Sequence, residues 1–219
     1  MVSAEQQAAH ELLVTDRFNV KVLPTLTKCV HLQVEQGWYD LDINLAILKL
    51  YQLHPNEQEN VVELDILVRI LALSLMRVPE ADFRLCLLLV PEQYQSINSV
   101  VSLAKLAEKL EVCQFAAFWS ELDKRAEVKA LVPGLEDALR KSIVNTTALT
   151  YSKLDKKVFQ EFVNCPVEQM LSSVEGLKVE GDFVLLPSSV SNQPKAATAS
   201  ADADAPLPQL AQVLANTLF

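Results

Sequence analysis

The strongest constraint in this sequence is a set of helical segments that are apolar on two sides. Leu41, Leu45 and Leu48 fall on one face of a helix begun at Asp40, while Ile43, Ile47 and Leu50 fall on another. The segment 61–77 repeats the arrangement, with Leu64, Leu67, Leu71 and Leu75 on one stripe and Ile66, Ile70 and Leu73 on a second. A helix with two apolar faces has to be covered from two sides. A chain made of such helices therefore stacks them in layers, each pair covering its neighbours.

The punctuation agrees with a stack of helices joined by short connections. Leu12, Leu13, Phe18, Val22, Leu23, Leu26, Val30 and Val34 outline one or two helices that stop at Gly37. Asp40 is a suitable N-cap for the next one, and His54-Pro55 breaks it. Pro79 ends the 61–77 segment, and a short helix over 80–90 runs up to Pro91. Proline suits a first helical turn, so the next helix is predicted from Pro91 to about Leu110. Phe115, Phe118, Trp119 and Leu122 follow at i, i+3, i+4 and i+7, and Pro133-Gly134 closes the region. No fixed sequence period links these helices, so a consensus repeat is not indicated.

Beyond residue 133 the pattern changes. A helix over 135–150 is followed by one over 156–163 capped by Asp155, and by a third bracketed by Pro166 and Gly176. Residues 177–179 and 183–186 flank Glu180-Gly181-Asp182 and read as a β-hairpin. Three helices and a hairpin is the order of a winged helix. Residues 188–206 are a low-complexity linker. Leu207, Leu210, Val213, Leu214 and Leu218 then form one stripe of a terminal helix. The expected organisation is mainly α: a HEAT-like stack over 1–132, a winged helix over 133–187, a linker over 188–206 and a helix over 207–219.

The terminal stripe is the best candidate for a docking element. A helix of this length is marginal alone in water. Burial of its five apolar side chains is worth about 7 to 15 kcal/mol gross, much of it offset by ordering and association costs. It either folds back or docks on a partner, and the long tether favours the partner.

Composition excludes several roles. The 219 residues carry a formal charge of −9, whereas nucleic-acid binders usually present a basic face. From 155 to 187 there are three basic residues (Lys156, Lys157, Lys178) and six acidic ones (Asp155, Glu161, Glu168, Glu175, Glu180, Asp182). The third winged helix carries no lysine or arginine, which points to protein docking rather than DNA binding. Arg140, Lys141, Lys153, Lys156 and Lys157 form a milder basic group, read either as a ribosomal RNA contact or as a solvated helix face. The four cysteines (Cys29, Cys86, Cys113, Cys165) are dispersed and suit free thiols in a reducing compartment. The first residues lack a basic region and an apolar core, and the most apolar stretch, 61–78, is interrupted by Glu63, Asp65, Arg69 and Arg77. Neither a signal peptide nor a membrane span is expected, and a cytoplasmic location is. The four glycines are too scattered to cradle a phosphate, no metal-ligand spacing occurs, and Asp40 and Asp42 read as cap and surface charges. No catalytic residue, metal site or cofactor is expected.

Four segments carry a family resemblance: YDLDINLAILKLYQLHP (39–55), ADFRLCLLLVPEQ (81–93), CQFAAFWSELD (113–123) and GLEDALRKSI (134–143). In sequence, order and spacing, over roughly 10–186, the chain resembles the subunit K family of eukaryotic translation initiation factor 3. The resemblance implies a HEAT-like domain followed by a winged helix, as in the PCI subunits of the proteasome lid and signalosome. It implies an accessory, non-catalytic place in the core of the factor, pairing chiefly with subunit L. It also implies a shared bundle of C-terminal helices for the 207–219 stripe. The whole factor binds the small ribosomal subunit and supports preinitiation complex assembly and messenger recruitment. The linker and tail match the family poorly in residue type.

Overall fold

The computed structural model describes residues 4–54 and 63–188, and residue 192. Among the described residues nine helices come first: α1 (Ala4–Thr15), α2 (Leu23–Gln36), α3 (Leu41–Leu53), α4 (Leu64–Leu75), α5 (Asp82–Leu89), α6 (Glu92–Gln95), α7 (Asn98–Glu111), α8 (Phe115–Asp123) and α9 (Ala126–Lys129). A short 3-10 turn, Val20–Val22, leads into α2. Then come α10 (Leu135–Thr150), β1 (Lys153–Asp155), α11 (Lys156–Val163), α12 (Val167–Ser173), β2 (Lys178–Glu180) and β3 (Phe183–Leu185).

The two-sided segments lie at the centre of the stack. Helix α4 packs against α2, α5 and α7, and Ile66, Leu67, Ile70 and Leu71 are fully buried. At ~1.5 to 3 kcal/mol each, these four side chains contribute roughly 6 to 12 kcal/mol gross. In α3, Ile43, Ile47, Leu48 and Leu50 are likewise fully buried. Polar chemistry fixes the ends. Gly37 adopts φ +71°, the left-handed conformation that favours glycine, and its N–H closes α2 on the Gln33 carbonyl at 3.0 Å. Asp40 caps α3 by accepting from the N–H groups of Asp42 and Ile43 at 3.1 and 3.2 Å. Its other oxygen receives Gln6 at 3.0 Å and lies 2.7 Å from His10 Nε2, so the cap of α3 also holds α1 in place. The buried Gln33 and Asn44 amides satisfy each other through two hydrogen bonds, at 2.9 and 3.1 Å.

The second part has winged-helix connectivity. Its three-stranded antiparallel sheet has the order β1-β3-β2, with Leu154, Val184 and Val179 in register across it. Val184 is fully buried, in one core with Phe159, Val163, Val167 and Met170. Asp155 caps α11 through the Lys157 N–H at 2.8 Å, and Gly181 at φ +60° turns the hairpin.

Three features depart from the sequence reading. The single helix expected from Pro91 to Leu110 is two helices, because Ile97 is extended at φ −68° and ψ 136° and packs against the core. Phe18, assigned above to an apolar stripe, is 61% exposed in the turn after α1. Strand β1 was not expected: it has one apolar residue, Leu154, and forms by pairing with a strand about thirty residues later. The linker, apart from residues 188 and 192, and the 207–219 helix lie outside the described residues.

Candidate protein-docking surfaces

The stack and the winged helix meet along α8, α10 and α11. Helix α11 ends at Val163, followed by Asn164 in the left-handed region, and its last carbonyls have no partner within the helix. Side chains from the other elements supply them. Trp119 Nε1 in α8 donates to the Phe162 carbonyl at 2.7 Å, and Arg140 Nε in α10 donates to the Val163 carbonyl at 3.2 Å. Phe115 packs edge-on against Phe162 at 5.3 Å, and the Arg140 guanidinium lies 5.2 Å from the centre of the Trp119 ring. Arg140 is 12% exposed and pairs with Asp137 at 2.8 Å and Glu136 at 3.0 Å. Lys129 ties Glu136 to Asp123, at 2.9 and 2.7 Å. The hydrogen bond from Lys129 overcomes burial and holds the Glu136 carboxyl below its usual range.

The structure places the five basic candidates on three elements, α10, β1 and α11. Each of the three side-chain nitrogens of Arg140 donates one hydrogen bond inside this seam. Lys141 is exposed on the next position of α10. Lys153 lies on β1 with its Nζ 4.2 Å from the centre of the Phe183 ring. Lys156 and Lys157 open the first turn of α11 beside Asp155. The seam could not be found from sequence spacing, because Arg140 meets carbonyls 23 residues away and Trp119 meets one 43 residues away.

The outer surface carries more apolar side chain than its neighbours cover. Leu85 and Leu88 project from α5 with exposures of 44% and 71%. Leu88 borders a groove of about 430 Å³ against α7, lined also by Leu87, Val100, Val101 and Ala104. Val179 and Phe183 are exposed on the hairpin, and Leu149 and Tyr151 at the end of α10. An exposed leucine beside an apolar-lined groove, as at Leu88, is a candidate interaction site. Sequence reading missed Leu85 and Leu88 because α5 has leucine at four of its last five positions. Among the described residues no cluster of His, Cys, Asp and Glu is arranged to hold a metal ion, and no helix is long and apolar enough to cross a membrane.

A helical stack welded to a winged helix whose third helix bears no cation defines a PCI-like helical protein. The profile of the CSN8/PSMD8/EIF3K family matches residues 61–193, and the chain belongs to that family. Its curated relatives include proteins named eukaryotic translation initiation factor 3 subunit K. The one from Bos taurus is 34% identical over 148 residues, covering 68% of this chain and 66% of its own, just under two thirds of that relative's length. The one from Xenopus laevis is 33% identical over 166 residues, 74% of each chain. The one from Culex quinquefasciatus is 31% identical over 175 residues, 78% of this chain and 77% of its own.

Proposed function

We propose that this chain is a non-catalytic scaffold subunit of eukaryotic translation initiation factor 3. The similarity to proteins named subunit K over about three quarters of the chain carries the reading. The uncovered leucines of α5 support it, because a subunit held among others needs apolar surface for them. In this reading the chain works in the cytoplasm, pairs chiefly with subunit L, and reaches the small ribosomal subunit through the assembly. The stripe Leu207, Leu210, Val213, Leu214 and Leu218 joins a bundle of subunit helices. Lys141, Lys153, Lys156 and Lys157 are the candidates left to meet an RNA phosphate, and neutralising them lowers any salt-dependent RNA affinity of the assembly.

The family description also spans proteasome-lid and signalosome subunits, which gives a second reading, a scaffold in one of those complexes. Affinity purification of the tagged chain, with mass spectrometry of what it retains, decides between them. Initiation-factor subunits and small ribosomal subunits are expected. Recovery of proteasome-lid or signalosome subunits instead overturns the first reading.

A further inference from the structure

The outer side of α7 carries a pattern that the packing of this chain does not use. Helices α5 and α7 both pack on α4, and the groove beside Leu88 lies between them. The Arg84–Glu111 ion pair bridges the two helices near the end of α7. Val101, Lys105 and Glu108 lie along the α7 wall of the groove. Val112 follows on the same helical lattice, since its N–H still donates to the Glu108 carbonyl at 3.1 Å.

At 3.6 residues per turn these four side chains fall within about 60° of one another around the helix. Their spacing is four, three and four residues, that of the seam along which two helices pair. The seam has no occupant among the described residues. Val101 is partly buried, Lys105 and Glu108 are exposed, and Val112 is 57% exposed. Neither Lys105 nor Glu108 makes an ion pair among the described residues.

The order of these residues determines what can cover them. Read from either end the stripe runs apolar, charged, charged, apolar, with opposite charges at the two inner positions. An antiparallel second copy of α7 therefore sets Val101 against Val112 and Lys105 against Glu108, and symmetry repeats both contacts. A parallel copy sets like charge on like charge, which repels. Leu88 stands beside the same groove at 71% exposure, so in the antiparallel pair each Leu88 flanks the helix of the other copy.

We propose that the free chain forms a weak two-fold dimer through the outer face of α7, with a second copy of itself as the occupant. Two helices and their flanking leucines make a small interface of the transient class. A paired chain has Leu88 covered, so self-association and docking through α5 exclude each other. The dimer is a property of the isolated chain and stands apart from which complex receives it.

Sedimentation equilibrium of the intact chain, from about 1 to about 200 μM, tests the dimer. Wild type should pass from monomer towards dimer within that range. Lys105→Glu and Glu108→Lys should each weaken self-association about ten-fold or more, because both cross-chain charge contacts become repulsive. An equimolar mixture of the two variants should associate as wild type does, since one chain then offers two acidic positions and the other two basic ones. Both positions are exposed, so each variant should fold as wild type does by circular dichroism. A wild-type chain that stays monomeric at about 200 μM overturns the proposal and leaves the stripe to a helix of another protein. So does a dimer indifferent to both single reversals, or a mixture of the two variants that fails to associate.

Discussion

Replacing Trp119 with phenylalanine tests the seam most directly, because it keeps an aromatic ring in the wall and removes the donor. The Trp119 N–H that meets the Phe162 carbonyl at 2.7 Å completes the end of α11 from outside the winged helix. Its removal costs about 1 to 2 kcal/mol, since the carbonyl is left partly buried without a partner. The smaller ring leaves space in a wall where Trp119 is only 3% exposed, which adds roughly 1 kcal/mol. The contact with Arg140 largely persists, because phenylalanine also presents a ring face to a guanidinium. The expected loss is about 2 to 3 kcal/mol, or roughly 5 to 10 °C in melting temperature for a chain of this size. Urea denaturation followed by far-ultraviolet circular dichroism gives the free energy, and hydrogen exchange gives the location. Amides of α11 should exchange faster while those of α1 to α3 change least. A loss below ~0.5 kcal/mol, or an exchange pattern that spares α11, refutes the argument that the two parts complete each other.

Asp40→Ala removes a helix cap together with the acceptor for Gln6 and the partner of His10, so it should lower unfolding free energy by about 2 to 3 kcal/mol in urea and detach α1 first in hydrogen exchange. Burial pushes the Asp40 carboxyl up, but the bonds from Gln6, the Ile43 N–H and His10 outweigh it and hold its pKa below the ordinary value. An unfolded Asp40 therefore binds its proton first as pH falls. The contribution is complete above the unfolded value, about 4, and is lost as pH drops through the lower folded value. Wild type should accordingly lose more stability between pH 5 and 3, measured by urea titration at each pH, than Asp40→Ala does. Leu88→Asp should leave stability within about 0.5 kcal/mol, because the side chain is 71% exposed, yet reduce the subunits recovered with the tagged chain. Deleting residues 207–219 should weaken incorporation into the assembly and leave the melting temperature of the isolated chain almost unchanged; a large fall would count for a helix folded back on its own stack.

Local chemistry explains which parts of the fold were legible. Asp40, Asp155 and Gly37 act within three or four residues of themselves, so their capping roles follow from identity and position alone. The two-sided stripes of α3 and α4 were readable because every turn repeats the signal. Ile97 was hidden: its extended backbone answers to a core that sequence periodicity does not describe. Strand β1 was hidden for a related reason, since Lys153-Leu154-Asp155 has no pattern of its own and takes its form from Val184 and its neighbours. The basic group shows the limit most clearly. Charge counting treats Arg140 and Lys141 alike, yet one helical step turns the first into the seam and the second toward solvent.

That division between adjacent residues bears on how such a chain serves an assembly. A scaffold must keep its docking faces in a fixed relation, and inter-domain contacts within a chain default to relative motion unless the interface is apolar and well bonded. Here the seam combines Phe115, Phe162 and Trp119 with an arginine that donates to two carboxylates and a backbone carbonyl. The leucines of α5 and the residues of the wing hairpin lie on opposite sides of it in sequence, and neither is covered by the chain's described residues. A rigid seam lets contact at one face set the position of the other. Loosening the seam with Trp119→Phe should therefore weaken assembly more than its stability loss alone accounts for, whereas Leu88→Asp should act on assembly with the seam intact.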